Sequence, residues 1–183
     1  MTDYSDRPER SNNRPAPRTD SRTPPHNLDA EASLLGAMLL DETAVGLAIE
    51  QQLDSGDFYK PAHGHVYAAI KTLSGIGEAI DAVTVSDELR RANLLDDLGG
   101  LNFLQDLLNA TPSISSAGRY IKIVRDTAIL RRLIKGASDI ADVGYSAPAD
   151  VRIAIDKAEQ IVFDIGDEQL TDSLKKLNDL TEE

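Results

Sequence analysis

The chain has 183 residues and a formal net charge of −12, with 31 Asp and Glu against 19 Lys and Arg. It contains no cysteine, which excludes disulfides, zinc thiolates and thiol nucleophiles. Hydrophobic residues make up 41% but aromatic residues only 4%, so the core must be built from Leu, Ile, Val and Ala, a composition that favours packed helices over a β-sandwich.

No apolar run approaches the roughly 20 residues that span a bilayer, and the polar, Arg-rich N-terminus lacks the apolar stretch of a signal peptide. A soluble, cytoplasmic chain is expected, and the absence of cysteine fits a reducing compartment. The charge is unevenly spread. Residues 1–27 carry five arginines against four acids, leaving 14 basic and 27 acidic side chains for the rest. A body this acidic repels a phosphate backbone and argues against autonomous tight DNA binding.

Residues 1–25 are rich in Arg, Asn, Ser, Thr and Pro, with almost nothing to bury, and are expected to be disordered. This arm reads either as a solvated tail or as a contact for nucleic acid. Order is expected from about Asn27. Leu28, Ala32, Leu35 and Leu39 share one helical face, and Gly36 inside that helix points to a close helix–helix approach. Asp41 is the expected N-cap of a second helix with Val45, Ile49 and Leu53 on its buried side. Ser55-Gly56-Asp57 is turn chemistry, and Pro61 suits the first turn of a third helix striped by Val66, Ala69, Ile70 and Leu73. Gly75 and Gly77 should end it. Thr84-Val85-Ser86-Asp87 resembles a capping box opening a short helix through Leu89. After Gly99-Gly100, the leucines at 101, 104, 107 and 108 predict a helix that Thr111-Pro112 terminates.

From about Ser116 the helical period runs through Tyr120, Val124, Thr127, Leu130, Ile134, Ala137 and Ala141. Ser146 and Pro148 form a corner, and Val151, Ala154, Ile155, Ala158, Val162 and Ile165 continue as a second long stripe. Two long helices about a tight corner predict an antiparallel hairpin. Ile121, Ile123, Leu133, Ile140, Ile161 and Phe163 widen its stripes, a surplus that implies packing on the globular half or on another chain. The fold expected is all-α. A head of about five to six short helices over residues 26–112 is followed by the hairpin over 113–166 and by a polar segment, 167–183, in which Leu174, Leu177 and Leu180 start an amphipathic stripe.

Catalytic signals are missing. There is no phosphate-binding GxxxxGK[ST] loop, and Gly99-Gly100 reads as a turn. His63 and His65 are two apart and point to different faces of a helix, against metal ligation. No serine sits in a nucleophile elbow. No catalytic, cofactor-binding or metal residues are assigned. Lys122, Arg125, Arg131, Arg132 and Lys135 make the long helix basic, and admit a contact with nucleic acid, a protein interface or a solvated face.

Several segments, in order, resemble one family: the N-terminal domain of bacterial replicative DNA helicases of the DnaB type. They are Pro24-Pro25-His26-Asn27-Leu28-Asp29-Ala30-Glu31 with Leu35-Gly36-Ala37-Met38-Leu39, Asp57-Phe58-Tyr59-Lys60-Pro61-Ala62-His63, Asp81-Ala82-Val83-Thr84-Val85, Leu98-Gly99-Gly100-Leu101, Thr111-Pro112-Ser113 and Leu130-Arg131-Arg132-Leu133-Ile134. The resemblance implies a non-catalytic collar that dimerises through its hairpins into a trimer of dimers within a hexamer and meets primase and a helicase loader. ATP and Mg would be bound by a motor that follows a linker, and DNA mainly by the rest of the parent chain. By this resemblance the primase-facing surface comprises Asp29, Phe103, Arg131, Ile134 and Ile140. Phe103 departs from the tyrosine common after this Gly-Gly pair, so a hydroxyl is lost there. The hairpin interface between copies is assigned to Tyr120, Ile123, Val124, Tyr145, Ile155, Val162 and Phe163. The alternative function is a nucleic-acid-binding module using the Arg-rich arm and the basic helix.

Overall fold

The computed structural model describes residues 23–179, with side chains to Gly166. The expected tail therefore lies outside the described residues up to position 22, as do the side chains of the polar segment after Gly166. Among the described residues every regular element is helical, as the aliphatic composition predicts.

Helix α1 (Leu28–Leu40) is the axis of the head. Asn27 caps it, accepting a hydrogen bond from the Ala30 N–H, and the helix is buried from Glu31 to Leu39 apart from half-buried Ala32. A helix apolar nearly all round must be enclosed, and α1 packs against α2 (Glu42–Glu50), α3 (Pro61–Ile76), α6 (Gly100–Asn109) and α7 (Ala117–Tyr145). The expected close approach at Gly36 is present. A Cβ there would lie 2.0 Å from Thr111 Oγ1 and 2.1 Å from the backbone oxygen of Leu107, so α6 sits directly on the α1 backbone.

Asp41 caps α2 as expected, accepting from the Thr43 N–H. The buried face is Ala44, Val45 and Ala48, however, and Ile49 is 43% exposed. The helix leans on two alanines, and Ile49, one position and about 100° beyond Ala48, turns outward. Ser55–Asp57 forms a 3₁₀ turn capped by Asp54. Pro61 opens α3, and Gly77 ends it in the left-handed region (φ 72°); Gly75 lies within the helix. The capping box of α4 (Ala82–Arg91) sits three residues earlier than expected. Asp81 accepts from the Val83 and Thr84 N–H groups and Thr84 accepts from the Asp81 N–H. The better N-cap preceded the expected one, and Asp87 pairs with Arg90 instead. A short α5 (Leu95–Leu98) ends at Gly99 and Gly100, whose φ values of 102° and 70° give the sharp reversal into α6. Leu104 and Leu107 of α6 are buried and Leu101 is not.

The long helices are α7 and α8 (Val151–Asp179). On α7 the buried residues are Ala117, Ile121, Val124, Ala128 and Gly136. The first four follow i, i+4, i+7, i+11 and close the head core. The expected stripe through Leu130, Ile134 and Ala137 is displaced: these residues are exposed. Beyond Ala128 the helix keeps its tie to the head through Arg131 and Arg132 and then packs on α8. There a Cβ on Gly136 would lie 2.7 Å from Ile165 Cδ1 and 3.1 Å from Ile161 Cγ2, which marks the tight crossing of the hairpin.

The two helical glycines Gly36 and Gly46 make a matched test. Gly36→Ala drives a methyl into a backbone carbonyl and should cost more than about 2 kcal/mol. Gly46→Ala, with nothing within 4 Å, should stabilise by up to about 1 kcal/mol. Urea unfolding of both variants checks the sign of each change.

Candidate protein-interaction site

A buried carboxylate organises the region where head and hairpin meet. Glu31, fully buried on α1, accepts hydrogen bonds from the Tyr59 N–H at 2.7 Å, the Lys60 N–H at 3.3 Å and His63 Nδ1 at 2.8 Å. Lys60 is the N-cap residue of α3 and offers no side-chain cap. A helix start needs acceptors for its unpaired N–H groups and favours negative charge, and Glu31 supplies both from another helix. Burial alone would raise its carboxyl. The hydrogen bond from His63 and those from the Tyr59 and Lys60 N–H groups outweigh burial and hold it below the usual range.

Asp57, also buried, makes the second half of the joint. One carboxylate oxygen accepts from the Asp54 N–H at 2.8 Å, and the other pairs with Arg132 of α7. The neighbouring Arg131 donates to the backbone oxygens of Pro25 (2.9 Å) and Asp57. His26 stacks on Tyr59 with ring centroids 4.1 Å apart, and the Arg131 guanidinium lies 5.7 Å from the same ring. Nearby, the buried Tyr67 donates to the Leu53 oxygen at 3.0 Å; burial, with Asp54 and Asp57 close, pushes its phenol up to about 12. Two consecutive arginines thus tie the middle of α7 to the turn before α3 and to the segment entering α1.

Beyond this joint the hairpin exposes large apolar side chains among its charged ones. Tyr145 is 89% exposed, Val151 67% and Phe163 59%, and Leu133, Ile134, Ile153, Ile155 and Val162 are exposed as well. Near the corner, between α7 and α8, a groove of about 560 Å³ is lined by residues that include Asp139, Val143, Ile153, Lys157 and Ile161.

The residues expected to face primase do not form one surface of equal character. Asp29 is exposed in the first turn of α1, Phe103 is half-buried on α6, Ile134 is exposed and Ile140 half-buried on α7. Arg131 is half-buried and its guanidinium is occupied by the joint. In the expected hairpin interface, Tyr145, Ile155, Val162 and Phe163 are exposed and Ile123 is half-buried. Val124 is corrected: it is fully buried in the head core and has no surface to offer another copy, because α7 buries that face against α1 and α2 before the hairpin begins. Tyr120 is half-buried against the same core. Sequence reasoning missed Glu31, Asp57 and His63. They lie inside segments used for the family resemblance, but no local pattern distinguishes them from solvated polar residues.

Four basic residues of α7 have acidic or backbone partners. Lys122 pairs with Asp126 and Lys135 with Asp139 along the helix, while Arg131 and Arg132 are held by the joint. Among the described residues no group of His, Asp or Glu is arranged to hold a metal ion, and no helix is long and apolar enough to cross a membrane.

The fold is an all-helical head joined through buried carboxylates to a two-helix hairpin, a helical domain with no catalytic or metal-binding cluster among the described residues. The family model of the DnaB-like helicase N-terminal domain matches residues 23–126, and the chain belongs to that family. It is 42% identical over 161 residues to the replicative DNA helicase DnaB of Mycobacterium leprae, covering 87% of this chain and 26% of the relative. The replicative DNA helicase DnaC of Bacillus subtilis is 35% identical, with 88% of this chain and 35% of the relative covered. The chain thus spans about a quarter to a third of these relatives. The crystal structure of the N-terminal domain of DnaB helicase from Mycobacterium tuberculosis is similar with a TM-score of 0.74 at 42% identity, covering 77% of this chain and 99% of that one. A DnaB-like replicative helicase solved in a study of its interactions with primase shares the fold (TM-score 0.63, 22% identity), with 83% of this chain and 35% of that one covered.

The low position of the Glu31 carboxyl has a consequence with a definite sign. A carboxyl lowered by folding stabilises the native state above its unfolded pKa, and that contribution is lost as pH falls through the folded pKa. Replacing Glu31 by Gln should cost about 2–3 kcal/mol near neutral pH, through weakened buried hydrogen bonds. The wild-type and Glu31→Gln unfolding free energies should converge as the pH drops into and below the carboxylate range. A gap that stays constant in acid would show that the carboxylate charge is not what holds the α3 start.

Proposed function

We propose that this chain is the non-catalytic collar of a replicative DNA helicase. In this reading it assembles with copies of itself, as a trimer of dimers within a hexamer, and presents a surface to primase and to a helicase loader in the cytoplasm. The observation that carries the reading is the set of exposed apolar side chains on the hairpin beyond the joint, among them Leu133, Ile134, Tyr145, Val162 and Phe163. Exposed apolar surface concentrated on one element is expected to be covered by a protein partner. The similarity to a domain of replicative helicases supports a role in assembly, and the fold shared with a helicase studied with primase supports the choice of that partner. ATP and Mg would be bound, and DNA unwound, by the remainder of the parent protein. The acidic net charge of the chain works against the nucleic-acid-binding alternative, since an acidic body repels a phosphate backbone.

Two measurements check the reading. Light scattering over a range of concentrations should show self-association of the chain, and paired Ile155→Asp and Phe163→Asp substitutions should shift it to monomer with unchanged helicity. A strictly monomeric wild-type chain at high concentration would contradict the hairpin interface. In a titration with primase, Ile134→Asp should weaken binding by about tenfold, roughly the 1.4 kcal/mol of one modest interface contact. Unchanged affinity would remove Ile134 from the primase surface.

A further inference from the structure

The half-buried Phe103 of α6 packs against the head core, and its ring is also contacted from α3. The His63 ring lies nearly parallel to it, at 13° with centroids 5.9 Å apart, and Lys60 Nζ stands 4.7 Å from the ring centroid. Both neighbours are themselves fixed by Glu31, which accepts from His63 Nδ1 and from the Lys60 backbone N–H. The α1 carboxylate at the start of α3 therefore also sets the imidazole against the α6 ring and holds the backbone from which the Lys60 side chain reaches it. The contact geometry is that of a cation over an aromatic face, with a second ring stacked nearby.

We infer that Lys60 and His63 are positioning residues for Phe103 on the primase-facing surface, fixing by ring contacts the orientation in which its exposed edge is presented. This inference rests on the primase reading of that surface. Lys60 is half-buried and His63 buried, so His63 reaches a partner only through the ring it supports. Lys60 acts chiefly by restricting that ring.

A double-mutant cycle on the full chain tests this. Binding to primase is measured for wild type, Lys60→Met, Phe103→Leu and the double variant, with Lys71→Met, about three turns further along α3 and paired with Asp54, as a control. Lys60→Met keeps the aliphatic stem and the backbone N–H to Glu31, and Phe103→Leu keeps an apolar side chain against the core. The expected losses are about threefold for Lys60→Met, as befits one exposed cation–π contact, and about tenfold for Phe103→Leu. The double variant should be no weaker than Phe103→Leu alone, because without the ring Lys60 has nothing to orient. In the unbound chain, the NMR resonances of the Phe103 ring protons should shift in Lys60→Met and in His63→Gln and stay in place in Lys71→Met. Wild-type affinity for Lys60→Met beside a loss for Phe103→Leu would overturn the positioning role while leaving the primase surface intact. Strictly additive losses would overturn it too, since Lys60 would then touch primase on its own. Wild-type affinity for Phe103→Leu would sink the primase reading of this surface itself.

Discussion

A carboxylate taken out of water is costly unless every lone pair direction that matters finds a donor. Glu31 meets that condition with three donors drawn from the start of α3, and its position at the centre of the molecule makes the other contacts depend on it. Helix α1 runs through the core and touches α2, α3, α6 and α7, so fixing α3 to α1 fixes the face on which α6 and α7 then close. The neighbouring Asp57 repeats the arrangement one step outward, with Arg132 as the counter-charge and Arg131 binding backbone oxygens beside it. Removing one member of such a set leaves buried polar groups unpaired, which costs more than the net worth of any single hydrogen bond.

The joint divides α7 into two halves with different duties. Its first half spends Ala117, Ile121, Val124 and Ala128 on the head core. Its second half packs on α8, with a close approach at Gly136 against Ile161 and Ile165, and leaves aliphatic side chains exposed. The head is self-sufficient because the first half completes its core. The hairpin leaves apolar side chains exposed, because two helices cannot bury both of their faces on each other.

Local signals were readable from the sequence where one residue type does one job. Gly36 announced a close approach, and the α6 backbone lies against it. Asp41, Pro61 and Gly77 marked helix ends that the structure reproduces. The α4 cap was misplaced by three residues because Asp81-x-x-Thr84 and Thr84-x-x-Asp87 are both plausible boxes, and only the first has the helix starting behind it. The α7 stripe was misread for a different reason. A period of 3.6 fits two adjacent stripes nearly equally well over six turns, and the choice between them depends on where the head lies, which is a tertiary fact. Glu31, Asp57 and His63 were illegible for the same reason at longer range. Glu31 meets its partners 28 to 32 positions away and Asp57 meets Arg132 75 positions away, and no window along the chain holds both ends of such a pair.

The central claim is that a joint at Glu31 and Asp57 anchors a self-sufficient head, leaving the far half of the hairpin to be stabilised by assembly. Amide hydrogen exchange, followed residue by residue at low and high protein concentration, tests it most directly. The account predicts that the Tyr59 and Lys60 amides and those of residues 117–128 exchange only through global unfolding at both concentrations. The amides of 137–145 and 151–160 should exchange much faster in dilute solution and become protected as concentration rises. Equal protection of head and distal hairpin at every concentration would contradict it, because the hairpin would then be stable without a partner.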